Sequence, residues 1–113
     1  MIDANFLNEL CDVIAQRVRE KPKGSYVSGL ATKGLASIRA KITEESGELV
    51  EASEQLGRQK KTGVPPKEGT TATFSRNDII WEAADLLFHM LVLLEVHGIP
   101  FNDVLTELKG RRK

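Results

Sequence analysis

The chain has 113 residues, enough for one domain with a modest core, and a partner subunit is one way to add burial to so small a domain. Sixteen basic residues balance sixteen acidic ones, which excludes bulk attraction to nucleic acid or an anionic membrane and leaves any polyanion to be held locally. The lone Cys11 excludes an internal disulfide and cysteine-based zinc spacing, and the start MIDANFLNEL lacks a secretion pattern, so a reducing, cytoplasmic setting is expected.

Phe6, Leu7, Leu10, Val13, Ile14 and Val18 recur at steps of three and four and predict an amphipathic helix, with Asp3 or Asn5 as its cap and Pro22 and Gly24 as its end. The following KGSYVSGLATKG, up to Gly34, is rich in small residues and lysine and reads as a connector with about one helical turn. A second helix is predicted from Leu35 to Gln59, because Leu35, Ile38, Ile42, Glu45, Leu49, Ala52 and Leu56 form a stripe. Glu45 is the anomaly in that stripe, since an isolated buried carboxylate is costly unless something compensates it. From Gly57 to Phe74 the chain has no period and reads as a long or mobile loop.

Ser75 and Asp78 resemble a capping box that starts a third helix, apolar nearly all round from Ile79 to Leu94 and therefore expected to be buried on several sides. Glu82, Asp85, His89 and Glu95 interrupt it too often for a membrane span. Gly98 and Pro100 separate it from a short amphipathic helix carrying Phe101, Val104, Leu105 and Leu108. No strand alternation or repeat is present, so the expected fold is an all-α bundle of four to five helices in a single domain, 1–113.

Two of these helices carry acidic pincers. Glu44, Glu45 and Glu48 lie within EESGE, and Glu82 and Asp85 within EAAD; residues three or four apart share one helix face. Facing each other, the two sets form a cage whose mutual repulsion demands proton uptake or a cation. Oxygen-only ligands select Mg2+ or Mn2+, and Mg2+ characteristically shares its coordination with substrate phosphates. Glu51 and Glu54 read as a solvated face, whereas Glu45 and Glu82 fall where burial is expected. His89, on the stripe of Asp78, Glu82 and Asp85, fits a hydrogen-bonded core histidine, a partner behind the ligands, or a catalytic group. Trp81, Phe88 and Met90 read as core or interface in preference to a base-stacking platform. Lys41, one turn before Glu45, reads as functional, and Lys33, Gly34 and Ser37 lie near a helix start where backbone amides favour phosphate.

Three segments together carry a resemblance: GSYVSGLATKG from Gly24 to Gly34, KITEESGELVEA from Lys41 to Ala52, and EAADLLFHMLVLLEVHGI followed by DVLTEL. With these, the chain resembles phosphoribosyl-ATP pyrophosphohydrolase over nearly its whole length, within the all-helical, MazG-like nucleotide pyrophosphatase superfamily. The resemblance implies hydrolysis of phosphoribosyl-ATP to phosphoribosyl-AMP and pyrophosphate, the second step of histidine biosynthesis, and a homodimer. It implies Mg2+ at Glu45, Glu48, Glu82 and Asp85, with Glu44 orienting or deprotonating water and Lys33 and Lys41 holding phosphates. The 57–74 connector is longer than the family pattern suggests, and its possible roles are a lid, a basic contact through Lys60 and Lys61, or an insertion. A housecleaning triphosphate pyrophosphatase and a noncatalytic helical dimerisation module are the competing readings.

Overall fold

The computed structural model describes residues 5–62 and 76–112, with side chains described for 5–58 and 76–112. Among these residues the fold is five helices and no strand: α1 (Asn5–Glu20), α2 (Tyr26–Lys33), α3 (Leu35–Thr62), α4 (Arg76–Val96) and α5 (Phe101–Gly110). The all-helical expectation therefore holds. Asp3 and Ser75, proposed as caps, fall outside the described residues, as does the connector from 63 to 74.

Two local expectations need correction. The segment read as a connector with one turn contains an eight-residue helix, α2. Helix is stabilised there by packing, since Val27 and Leu30 are buried in the core, and by Ser25, whose Oγ accepts the backbone N–H of Ser28 at 3.3 Å. Gly34, at φ 97°, closes α2 with its N–H on the Leu30 carbonyl, and its own carbonyl accepts the N–H of Ile38 in the next helix. A single residue thus turns α2 into α3, and a positive φ of this kind favours glycine. The second correction concerns the end of α3, expected at Gln59 with loop signals from Gly57 onward but continuing to Thr62. Arg58, Gln59, Lys60 and Lys61 are straight-chain residues of good helix propensity, so a single exposed glycine does not stop the helix.

The principal packed pair is α3 with α4, and α1 and α2 close over it. Ile14 of α1, Val27 and Leu30 of α2, Ile38 of α3, and Leu91 and Val92 of α4 form one buried cluster, with Leu10, Ile42, Phe88 and Phe101 packed against it. The end of α4 is a Schellman motif: Ile99 N–H bonds the Leu94 carbonyl and Gly98 N–H the Glu95 carbonyl, both at 2.9 Å, with Gly98 at φ 71°. Pro100 then opens α5, as the Gly98–Pro100 punctuation predicted.

The described residues do not enclose α4 on every side. Ile80, Leu87 and Met90 are exposed, together with Ala83 and Ala84 between them, and Trp81 is 69% exposed. Steps of three and four align Ile80, Ala83, Ala84, Leu87 and Met90 on the side of α4 turned away from Glu82, Asp85 and His89. The other four helices leave this part of the apolar circumference of α4 uncovered.

Candidate metal centre and active site

The site is built where α3 and α4 pack together. Ile38, Glu45 and Ala52 follow each other at seven-residue steps along α3, and all three are buried, Glu45 to 6% exposure. The position that interrupts the apolar stripe is thus a carboxylate inside the helix–helix seam, as the pattern implied.

Across the seam, α4 presents Glu82 and Asp85, both half-buried. Carboxylate oxygens of Glu45, Glu82 and Asp85 lie within 4.8 Å of one another, and so do those of Glu44, Glu45 and Glu48. Glu45 belongs to both groups and joins the two acidic motifs into one constellation. Glu44 and Glu48 are exposed, so the cage is closed at Glu45 and open to solvent on the side of the EESGE face.

The electrostatics of this arrangement are unfavourable without a positive charge. Oε2 of Glu45 and Oε2 of Glu82 are buried with no hydrogen-bond partner among the described residues. The Glu82 pKa is raised to about 7, first by burial and then by the neighbouring carboxylates of Glu48 and Glu45. Two orphaned carboxylate oxygens facing a cluster of further carboxylates make a donor set of oxygen only, which a hard divalent cation fits in both charge and ligand type. Glu51 and Glu54 are exposed on α3 and form no part of either group.

Lys41, one turn before Glu45 in the sequence, pairs with the neighbouring Glu44. Its Nζ stands 3.6 Å from Oε2 of Glu44, three residues on, because Glu45 turns inward to the seam while Glu44 stays outside. The pair is open to water, with 40% and 54% of the two side chains exposed, so it orders the rim and adds little stability. Lys33, Ser37 and Lys41 share an open cleft with Leu30, Ala40 and Glu44. Two ammonium groups and a hydroxyl thereby border the acidic site on the α2–α3 side.

Sequence reasoning left His89 open among three roles and gave Tyr26 none. His89 is 5% exposed; its Nδ1 lies 2.8 Å from the backbone carbonyl of Asp85 and its Nε2 lies 2.7 Å from the Tyr26 hydroxyl. Rings of Tyr26, Phe88 and His89 form an aromatic group, the Phe88–His89 pair edge-on at 5.8 Å between centroids. Both serines of this segment are also used, Ser25 as the α2 cap and Ser28 as a buried donor to the Arg17 carbonyl at 3.1 Å. No periodic signal could have flagged Tyr26, since its partner lies 63 residues away.

Comparison with known proteins fits this architecture. The family model described as phosphoribosyl-ATP pyrophosphohydrolase matches residues 7–112. The chain belongs to that family. A phosphoribosyl-ATP pyrophosphatase of Metallosphaera sedula is 39% identical over 107 residues, 95% of this chain and 96% of that protein. Another, from Methanopyrus kandleri, is 38% identical over 118 residues and is aligned over the full length of both chains. A histidine biosynthesis bifunctional protein of Bacillus subtilis is 36% identical over 93% of this chain, which corresponds to 42% of its own length. Family membership thus covers all three segments that carried the resemblance, including Gly24–Gly34, which folds as α2 with its caps.

Proposed function

We propose that this chain hydrolyses phosphoribosyl-ATP to phosphoribosyl-AMP and pyrophosphate, the second step of histidine biosynthesis. The observation that carries the proposal is the convergence of Glu45, Glu82 and Asp85 around two buried carboxylate oxygens without hydrogen-bond partners, in a chain of this family. Glu45, Glu48, Glu82 and Asp85 would hold Mg2+, or Mn2+ in its place. When bound, such a cation supplies charge neutralisation to the phosphoryl oxygens of the substrate.

The protein groups around it have distinct tasks. Glu44 lies beside Glu45 and Glu48 yet remains exposed, which suits a carboxylate that orients the attacking water and accepts its proton. Water oxygen bonds to phosphorus as the α–β anhydride bond breaks, and pyrophosphate departs with the electron pair of that bond. Lys33 and Lys41, in the cleft next to Glu44, would hold phosphate oxygens and offset their charge. Lys41 would exchange its weak pairing with Glu44 for a phosphate, which also frees Glu44 to take a proton.

The exposed stripe of Ile80, Ala83, Ala84, Leu87 and Met90 supports a homodimer in which a second copy covers α4. Among the described residues no helix is long and apolar enough to cross a membrane. A cytoplasmic location fits a biosynthetic hydrolase with a lone, half-buried cysteine.

The test incubates purified protein with phosphoribosyl-ATP and, separately, with ordinary nucleoside triphosphates, each with Mg2+ and with chelator, and identifies the products. Pyrophosphate released from phosphoribosyl-ATP only when Mg2+ is present supports the proposal. Release of single phosphate, turnover indifferent to chelator, or faster turnover of the ordinary triphosphates would overturn it.

A further inference from the structure

The two nitrogens of His89 face groups of different kinds. A backbone carbonyl only accepts, so the bond from Nδ1 to the Asp85 carbonyl places the proton on Nδ1. In the neutral ring Nε2 is then an acceptor, and the Tyr26 hydroxyl donates to it at 2.7 Å. Both nitrogens of a nearly fully buried ring are engaged, which leaves His89 no free nitrogen for proton transfer to substrate. The Asp85 carbonyl belongs to the residue whose carboxylate converges with those of Glu45 and Glu82.

Tyr26 is the far end of this chain of bonds. Tyr26 is 54% exposed, so burial alone does not account for its placement; its hydroxyl bond is the specific contact, with Phe88 and His89 as ring neighbours. It is also the first residue of α2, whose last residue is Lys33. A helix of eight residues is a rigid strut about 12 Å long. Tyr26 therefore joins the turn of α4 that carries Asp85 to the helix that carries one wall of the lysine-bordered cleft.

We infer that Tyr26 and His89 are a positioning pair, which locks the Asp85 turn of α4 against α2 and keeps the α4 carboxylates and the Lys33 cleft at one spacing. The inference rests on the reading of Asp85 as a cation ligand under Proposed function. Neither residue touches substrate in this scheme. Groups that orient ligands from behind typically change metal affinity or activity by ~10–100-fold when lost, and a hydroxyl acting through a histidine belongs at the lower end of that range.

The test uses the full chain and three variants: Tyr26→Phe, which keeps the ring and loses the hydroxyl; His89→Gln, which offers Tyr26 an acceptor but gives Asp85 no equivalent donor; and Asp85→Asn as the reference for the site itself. Nitrogen NMR of metal-free wild type should show His89 protonated on Nδ1 alone, with Tyr26→Phe shifting the ring toward a mixture of tautomers. Mn2+ binding followed by electron paramagnetic resonance should weaken about tenfold in Tyr26→Phe and in His89→Gln, with KM raised and excess Mg2+ restoring most of kcat. If Asp85→Asn abolishes Mn2+ binding while both other variants bind it within about twofold of wild type, the positioning role is wrong and the site reading stands. If Asp85→Asn binds Mn2+ as wild type does, the site reading fails and takes the inference with it. Loss of stability in Tyr26→Phe with unchanged Mn2+ affinity and KM would mark the pair as packing alone and also overturns it.

Discussion

Replacing Glu82 by Gln separates the cost of the carboxylate cluster from its use. The folded protein holds the Glu82 proton up to about pH 7, against an ordinary value of 4.5, so between these limits the folded state binds more protons than the unfolded one. The Glu82 carboxyl therefore costs the metal-free fold nothing below about pH 4.5, and its cost grows as pH rises through about 7. The difference of roughly 2.5 pH units corresponds to about 3 kcal/mol at most, and partial solvent access to Glu82 reduces this to the order of 1–2 kcal/mol.

Gln keeps the size of the side chain and removes the charge. In chelator at pH 8, Glu82→Gln should melt above wild type by about 3–10 °C, and the gap should shrink toward pH 5 and close near pH 4. Adding Mg2+ should reverse the order, because wild type gains about 2.7 kcal/mol at a hundredfold excess over Kd and the variant gains much less. Hydrolysis should fall at the same time. Calorimetric scans at several pH values, with and without Mg2+, provide the measurement. A variant no more stable than wild type in chelator at pH 8, or a difference that does not vary with pH, would refute the account of the cluster as a cation site under electrostatic strain.

Further outcomes follow from the rest of the structure. Lys33→Ala and Lys41→Ala should each raise KM for phosphoribosyl-ATP several-fold while leaving metal-free stability within about 0.5 kcal/mol, as steady-state kinetics and melting will show. Leu87→Asp should convert a dimer to monomer in sedimentation, because it puts a charge into the apolar stripe that a second copy would cover. Gly34→Ala should cost about 1–2 kcal/mol in denaturant unfolding; no atom obstructs a Cβ there, so the cost arises from the backbone at φ 97°.

Helical periodicity located α1, α3, α4 and α5, and chemistry at fixed spacing located the acids. Local spacing suffices for these because residues three and four apart on a helix share a face whatever the helix packs against. Glu45 could be singled out for the same reason, as the one carboxylate in line with Ile38 and Ala52. The length of α2 was not legible, since Tyr26–Lys33 is helical through its caps and through core contacts made by Val27 and Leu30 with other helices. Nor was the end of α3, where helix propensity after Gly57 prevailed over the turn signal of a lone glycine.

By itself, then, the order of residues determined the helices, their apolar faces and the two sets of carboxylates, because each is a property of neighbours along the chain. Only tertiary structure decided that Glu45 meets Glu82 and Asp85 and that one side of α4 remains open. It also decided that Tyr26 reaches His89 across 63 residues. These relations depend on how far apart two helices lie and how each is rotated about its axis, which are set by the packing of all the helices together.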